Sequence, residues 1–300
     1  MTRRSLRDLA PDPKSTTPWG TIESEVLATG LTFPEGVRWH DGALWFSDMH
    51  DHRLMRLVPG SEPETIATVP GRPSGIGFLP DGTPLVVSQQ DRKVLRVEAN
   101  GTVEHANLSG LAEWHCNDMF VDGQGRAYVG NYGDDSAPPD APHPTVLILI
   151  EPDGSTRAVA SDLWFPNGIT VTPDGNTLIV AETRSVPGRL TAFDVGADGD
   201  LTGRRVLAEF EGGFPDGLAV DAEGAVWVAF PFGDELVRIT PDGVVDTRLS
   251  FPSPYAVALG GPSGRELFVA TAPNWEPEEA ARLRAGAIHR LEVEAPAPAP

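Results

Sequence analysis

Phe165-Pro166-Asn167-Gly168-Ile169-Thr170-Val171 runs into a turn at Pro173-Asp174-Gly175 and then into Leu178-Ile179-Val180-Ala181. Two alternating apolar runs separated by an Asp-Gly turn read as a β-hairpin. The pattern recurs on both sides of this copy. Upstream, Phe33 to Trp39 turns at His40-Asp41-Gly42 into Ala43 to Asp48, and Arg72 to Phe78 turns at Pro80-Asp81-Gly82 into Leu85 to Ser88. His115 to Val121 turns at Asp122-Gly123-Gln124-Gly125 into Ala127 to Gly130. Downstream, Phe214 to Val220 turns at Ala222-Glu223-Gly224 into Val226 to Ala229, and Ser253 to Leu259 turns at Pro262-Ser263-Gly264 into Leu267 to Ala270. The third residues of the six copies are Glu35, Ser74, Asn117, Asn167, Asp216 and Tyr255, at intervals of 39, 43, 50, 49 and 39.

A second hairpin follows the first within the units. Arg92 to Glu98 turns at Ala99-Asn100-Gly101 into Thr102 to Ala106, and similar turns stand at Pro152-Asp153-Gly154 and Pro241-Asp242-Gly243. Four-stranded units repeating every ~40–50 residues are the signature of a β-propeller. The expected fold is therefore all-β, a six-bladed propeller of four-stranded blades. The last unit has three strands of its own, ending at Gly286 to Val293. The spacing predicts that Ile22 to Leu27 supplies the fourth and closes the ring, leaving no exposed sheet edge there. One propeller is expected over residues 21–294, with loose tails at 1–20 and 295–300.

Composition agrees. The chain has 300 residues with 32 glycines and 29 prolines, too many breakers for a helical bundle or a doubly wound sheet. A net charge of −20 repels phosphate backbones, so nucleic acid is excluded as a partner. The single cysteine, Cys116, rules out an intramolecular disulfide and a thiolate metal cluster, and reads as a small buried hydrophobe. No apolar run approaches the ~20 residues of a membrane span, and no secretory h-region is present. A cytoplasmic protein, a monomer or weak homo-oligomer without a membrane partner, is the expectation.

The first strand of a propeller blade lines the central channel, so the six third residues share one height around one axis. Two carboxylates and two amides among them, with no basic residue, would repel one another or stand unsatisfied when empty. A hard divalent cation resolves that, held by Glu35, Asn117, Asn167 and Asp216. Calcium is the first expectation, with zinc, magnesium or manganese as alternatives. The lack of Cys and His at these positions argues against a structural zinc site. Ser74 and Tyr255 complete the ring as substrate contacts. His115, Asp118 and Trp114 beside the ring are expected to bind substrate as well, with Trp164 and Phe214 nearby. The ends of the second strands, Asp48, Gln89, Gln90, Asn131, Glu182 and Phe232, are expected to rim the site.

Phe-Pro-Glu-Gly at 33–36, Cys-Asn-Asp at 116–118, Phe-Pro-Asn-Gly at 165–168 and Phe-Pro-Asp-Gly at 214–217 resemble the gluconolactonase/regucalcin (senescence marker protein) family. The likeness extends over residues 22–294. It implies a divalent cation on the propeller axis, with Glu35, Asn167 and Asp216 at the family's ligand positions. Asn117 stands where members supply a fourth ligand or a substrate contact. Asp216 also matches the carboxylate proposed as catalytic base. The implied activity is metal-dependent hydrolysis of a lactone or related small ester. Two other readings stand beside it: a phosphotriester hydrolase with Asp216 as nucleophile, and a non-catalytic propeller that binds a cation or small molecule. In animal members an arginine binds substrate two residues before the Asn, and here that place is taken by His115. With Trp114, Phe165, Phe214, Tyr255 and Trp275 nearby, this departure points to a substrate less polar than an aldonolactone.

Overall fold

The hairpin turns are built by their aspartates. Asp122 Oδ1 accepts the amides of Gln124 at 2.9 Å and Arg126 at 3.0 Å, and Asp221 Oδ1 accepts those of Glu223 at 2.9 Å and Ala225 at 3.0 Å. Such Asx turns fix the chain reversal, and the glycine that follows supplies the left-handed residue, as at Gly125 (φ +83°). The alternating apolar runs on either side then pair as antiparallel strands.

The computed structural model describes residues 22–136 and 141–299. It contains six four-stranded antiparallel sheets arranged as a six-bladed β-propeller. The innermost strands are Pro34–His40, Pro73–Phe78, Cys116–Val121, Pro166–Val171, Leu218–Val220 and Pro254–Gly260. Cores form where blades face one another. Val37, Phe46 and Met55 of blade one pack with Ala256, Phe268 and Ile288 of blade six. A second core joins blades two and three through Leu85, Val87, Met119 and Val129, with Cys116 fully buried beside them. Middle strands such as Val226–Phe230 are buried at every position because blades cover both of their faces. Among the described residues no helix is long and apolar enough to cross a membrane.

Blade six takes its outer strand from the N-terminal side of the chain, as the sequence predicts, but with different bounds. The strand is Glu25–Leu31, paired antiparallel with Gly286–Glu292, not residues 22–27. Two register shifts, between Val26 and Ala28 and between Ala28 and Leu31, carry Ala28 and Leu31 into the core between blades six and one. Ile22 packs against the neighbouring core from outside the strand. The expected N-terminal tail, residues 1–20, lies outside the described residues. The expected loose C-terminal tail is a docked segment over residues 295–299. Ala222 N donates to Pro296 O at 2.8 Å and Ala297 N to Gly264 O at 2.6 Å, and Ala295 is buried. An extended Ala-Pro chain leaves its backbone groups free to bond the hairpin turns of blades five and six.

Every innermost strand is irregular where the functional residue falls. Register shifts separate Glu35 from Arg38, Pro73 from Ile76, Cys116 from Met119, Pro166 from Ile169 and Pro254 from Ala256. In blade five, the strand expected from Phe214 starts only at Leu218, and Asp216 is held by its amide on Ala229 O at 2.9 Å. A bulge re-aims a side chain, and here it turns the third residue of each copy toward the axis. In blades one, two, four and five the residue after it is glycine, and neighbouring innermost strands nearly touch there. A Cβ on Gly168 would sit 2.3 Å from Asp216 O, and one on Gly75 would sit 2.3 Å from Met119 N. Both contacts are with backbone that cannot swing aside. Gly168→Ala is accordingly expected to lower the unfolding free energy by about 3 kcal/mol, the upper end for overpacking, read as a drop in the denaturant midpoint. An unchanged midpoint would show that the blades can separate at the axis without penalty.

Candidate active site

At the mouth of the channel the polar residues of four successive blades join in one chain of hydrogen bonds. Ser74 Oγ donates to Asn117 Oδ1 at 3.1 Å, and Asn117 Nδ2 donates to Asn167 Oδ1 at 2.6 Å. Asn167 in turn hydrogen-bonds the Asp216 carboxylate. Glu35 approaches from blade one, with Gly36 N donating to its Oε2 at 3.3 Å. The structure thus brings together Glu35, Ser74, Asn117, Asn167 and Asp216. Ser74, Asn117, Asn167 and Asp216 are 2, 6, 4 and 8 % exposed, so their polar atoms are largely out of water.

The two carboxylates are under electrostatic load. Burial, followed by the charges of Asp216 and Asp118, holds the Glu35 carboxyl well above its ordinary value. Burial, followed by the charge of Asp118, does the same to Asp216, and the Asn167 hydrogen bond offsets part of it. Asp118 itself is anchored below the ring. Arg38 Nη2 donates to its Oδ1 at 2.9 Å and to Met119 O at 2.6 Å, while Arg38 Nη1 donates to Val37 O at 2.8 Å. The guanidinium crosses from blade one to blade three and forms the floor of the site. Beneath it, at the far ends of the innermost strands, lies a separate cavity of about 660 Å³ that Pro298 and Ala299 help to line.

Arg38 offsets one of three neighbouring negative charges, which leaves two facing the mouth. That residue of charge matches a divalent cation. The donors are hard oxygens, and each amide oxygen engaged in the hydrogen-bond chain keeps a second lone pair. Among the described residues no three carboxylate, imidazole or thiolate groups converge as a metal cluster, so an ion held here would depend on the amide oxygens as well as the two carboxylates. Glu35, Asn117, Asn167 and Asp216 fit a hard divalent ion on these grounds.

The wall above the ring is aromatic. Trp114 stacks on His115 at 4.5 Å, His115 meets Tyr132 edge-on at 6.3 Å, and Tyr132 stacks on Phe165 at 4.1 Å. Across the mouth, Tyr255 meets Phe33 at 4.6 Å, Phe33 stacks on His50 at 5.1 Å, and Phe214 meets Phe232 at 5.6 Å. Burial, then the charges of Arg72 and Arg92, lowers the His115 pKa, so the imidazole is neutral near pH 7. Trp114 is exposed at the rim. Tyr255 belongs to a small apolar cluster with Phe33, Met49 and Ala272.

Some expected rim groups serve the backbone. Asp48 Oδ1 accepts the amides of Thr32 at 2.9 Å and Phe33 at 3.1 Å, and Glu182 Oε2 accepts that of Trp164 at 3.0 Å. Both carboxylates are fully buried and paired, with Arg53 and Arg189 respectively. They secure the chain just ahead of the innermost strands. Asn131 likewise bonds Gly133 N and Val146 O. Gln89 does reach the wall, with Nε2 3.3 Å from Tyr132 Oη. Arg38, Arg72 and Tyr132 were not anticipated. The repeat carried the signal for Arg38: three residues past the ring position the copies read Arg38, Gly77, Phe120, Thr170, Ala219 and Ala258, with a single charge among them.

A polar ring of two buried carboxylates and two amides, on the axis of a six-bladed propeller and under an aromatic wall, is the candidate site. The family described as SMP-30/Gluconolactonase/LRE-like region matches residues 33–273, and the chain belongs to it. It is 28 % identical to pentonolactonase XacC of Haloferax volcanii over 91 % of this chain and 94 % of that one. It is 25 % identical to a gluconolactonase of Zymomonas mobilis over 83 % of this chain and 79 % of that one. Its fold superposes on a calcium-binding regucalcin from Agrobacterium tumefaciens with a TM-score of 0.78 at 22 % identity, covering 94 % and 97 % of the two chains.

The Arg38 brace is testable. Arg38→Met leaves the Asp118 carboxylate recessed without its partner and is expected to cost roughly 3 kcal/mol in chemical denaturation. Adding Asp118→Asn should restore a substantial part. If the double variant is no more stable than the single one, the pair is not coupled.

Proposed function

We propose that the protein opens lactone rings with a divalent cation, calcium in the first instance, held by Glu35, Asn117, Asn167 and Asp216. The observation that carries this reading is the pair of buried, mutually repelling carboxylates at the channel mouth, one of which, Asp216, ends a hydrogen-bonded chain through Asn167 and Asn117 to Ser74. The names of two relatives, a pentonolactonase and a gluconolactonase, support the reaction class, and the calcium-binding regucalcin supports the ion.

A bound cation supplies polarisation of the lactone carbonyl and stabilisation of the oxyanion that develops there. The rest falls to the protein. Asp216 takes the proton of the water that attacks the carbonyl carbon. The ring C–O bond breaks, the departing alkoxide receives that proton, and a hydroxy acid results. Ser74 fixes the Asn117 amide, Asn117 fixes Asn167 and Asn167 fixes Asp216, so the base is held in one orientation before substrate arrives. Neutral His115 offers a hydrogen bond to the substrate, with Trp114 and Tyr255 as flanking surfaces.

Asp216→Asn is expected to lower kcat on a γ- or δ-lactone panel by at least ~10²-fold. Glu35→Gln should do the same by weakening the cation, with calcium binding read directly by titration. In chelator-treated protein, Glu35→Gln should raise the thermal midpoint, because it removes one of two desolvated like charges. Calcium should raise the wild-type midpoint more than the variant's. Full lactone turnover by Asp216→Asn in the presence of chelator defeats the proposal.

A further inference from the structure

The residues two places before the ring positions form a second circle above the first. In blade order they are Phe33, Arg72, His115, Phe165, Phe214 and Ser253. Four of these tend to close the mouth with rings, but Arg72 brings a permanent positive charge to blade two.

Arg72 is held in an unusual way. Its backbone adopts a left-handed φ of +66°, sparsely populated for a side chain of this size. The conformation is pinned on both sides: Arg72 N donates to Val69 O at 3.0 Å, and Gln89 N donates to Arg72 O at 2.8 Å. The guanidinium has no ion pair and no side-chain hydrogen bond among the described residues, although its Nε is buried. The neighbouring Arg92 shows the ordinary alternative, with its guanidinium spent on Ala112 O at 3.2 Å. The charge of Arg72 acts on His50 of blade one and on His115 and Tyr132 of blade three, so the group stands between the two walls of the mouth. A half-buried guanidinium with a buried, unpartnered Nε, standing above an acidic ring in a chain of net charge −20, has donors left for a ligand to complete.

We propose that Arg72 is the specificity-determining cation of the mouth and that the preferred substrates are lactones bearing a single carboxylate substituent. The guanidinium is planar and donates in a fork that fits a carboxylate. One unmatched guanidinium offsets one negative charge, which a single carboxylate supplies. The opposite side of the mouth, with Phe165, Phe214 and Phe232, suits the apolar atoms of the ring. The lactone part of this inference rests on the function proposed above, whereas the anion pole does not.

The test uses ligands that cannot be hydrolysed. Tetrahydrofuran-2-carboxylate and tetrahydrofuran-2-carboxamide are titrated calorimetrically into wild type, Arg72→Met and Arg72→Lys in calcium-containing buffer. Wild type should bind the carboxylate about 10- to 100-fold more tightly than the amide, the range for a charge-assisted contact. The preference should shrink with added salt, fall to within about threefold in Arg72→Met, and be partly kept in Arg72→Lys. Equal binding of the two ligands overturns the proposal, and so does failure of both to bind. A preference that survives in Arg72→Met also overturns it, since the carboxylate is then held by the calcium. Should Arg72→Met not fold, the wild-type preference and its salt dependence decide. Hydrolysis of a γ-lactone carboxylate and its amide is measured in parallel. Preference without turnover defeats the lactonase reading alone, and turnover without preference defeats this one alone.

Discussion

The antiparallel pairing of Glu25–Leu31 with Gly286–Glu292 is the constraint on which the remainder of the molecule depends. It joins the two ends of the chain in one sheet and fixes blade one against blade six. Glu35 and Asp216 are 181 positions apart in the chain, and only a closed ring makes them neighbours. The closure is reinforced from outside the sheet. Arg284, just after the short helix Pro277–Leu283, donates to Gly30 O at 3.2 Å and to Asp51 Oδ2 at 2.8 Å, tying blade six to both sides of the junction. A ring held in this way tolerates mutual repulsion at its centre, because relaxation of one blade would have to break backbone pairing in another.

Three tiers follow down the axis. At the top, aromatic faces and the Arg72 charge make a mouth with one apolar and one cationic side. In the middle, carboxylates and amides make a ring with an excess of negative charge. At the bottom, Arg38 pairs with Asp118 and spans from blade one to blade three. The order matters physically. A basic group at the level of the ring would cancel its negative charge, whereas Arg72, a tier higher, leaves that charge in place. The buried carboxylates Asp48 and Glu182 support this arrangement from behind, because each holds the backbone that delivers a residue of the upper circle.

Much of this was legible in the chain. The hairpin repeat gave the six blades, and the third residue of five copies fell together at the channel mouth while the sixth, Tyr255, packs against Phe33; both depend on short-range patterning that the turn aspartates and glycines enforce. What sequence reading missed depends on contacts between blades. Asp48 and Glu182 look like rim acids until the arginines beside them are seen. Arg38 and Arg72 are one guanidinium each in a chain with many, and only the three-dimensional repeat shows that one points down and the other up. The N-terminal strand was displaced because bulges, which no periodicity reports, place Ala28 and Leu31 inward. The Ala-Pro tail looked disordered by composition, yet its bonding partners lie on turns of other hairpins.

The Arg38 brace has a mechanical corollary. Its backbone belongs to blade one while its guanidinium bonds blade three, so the two blades that flank blade two are clasped across it, and a shift of either is passed directly to the Asp118 carboxylate.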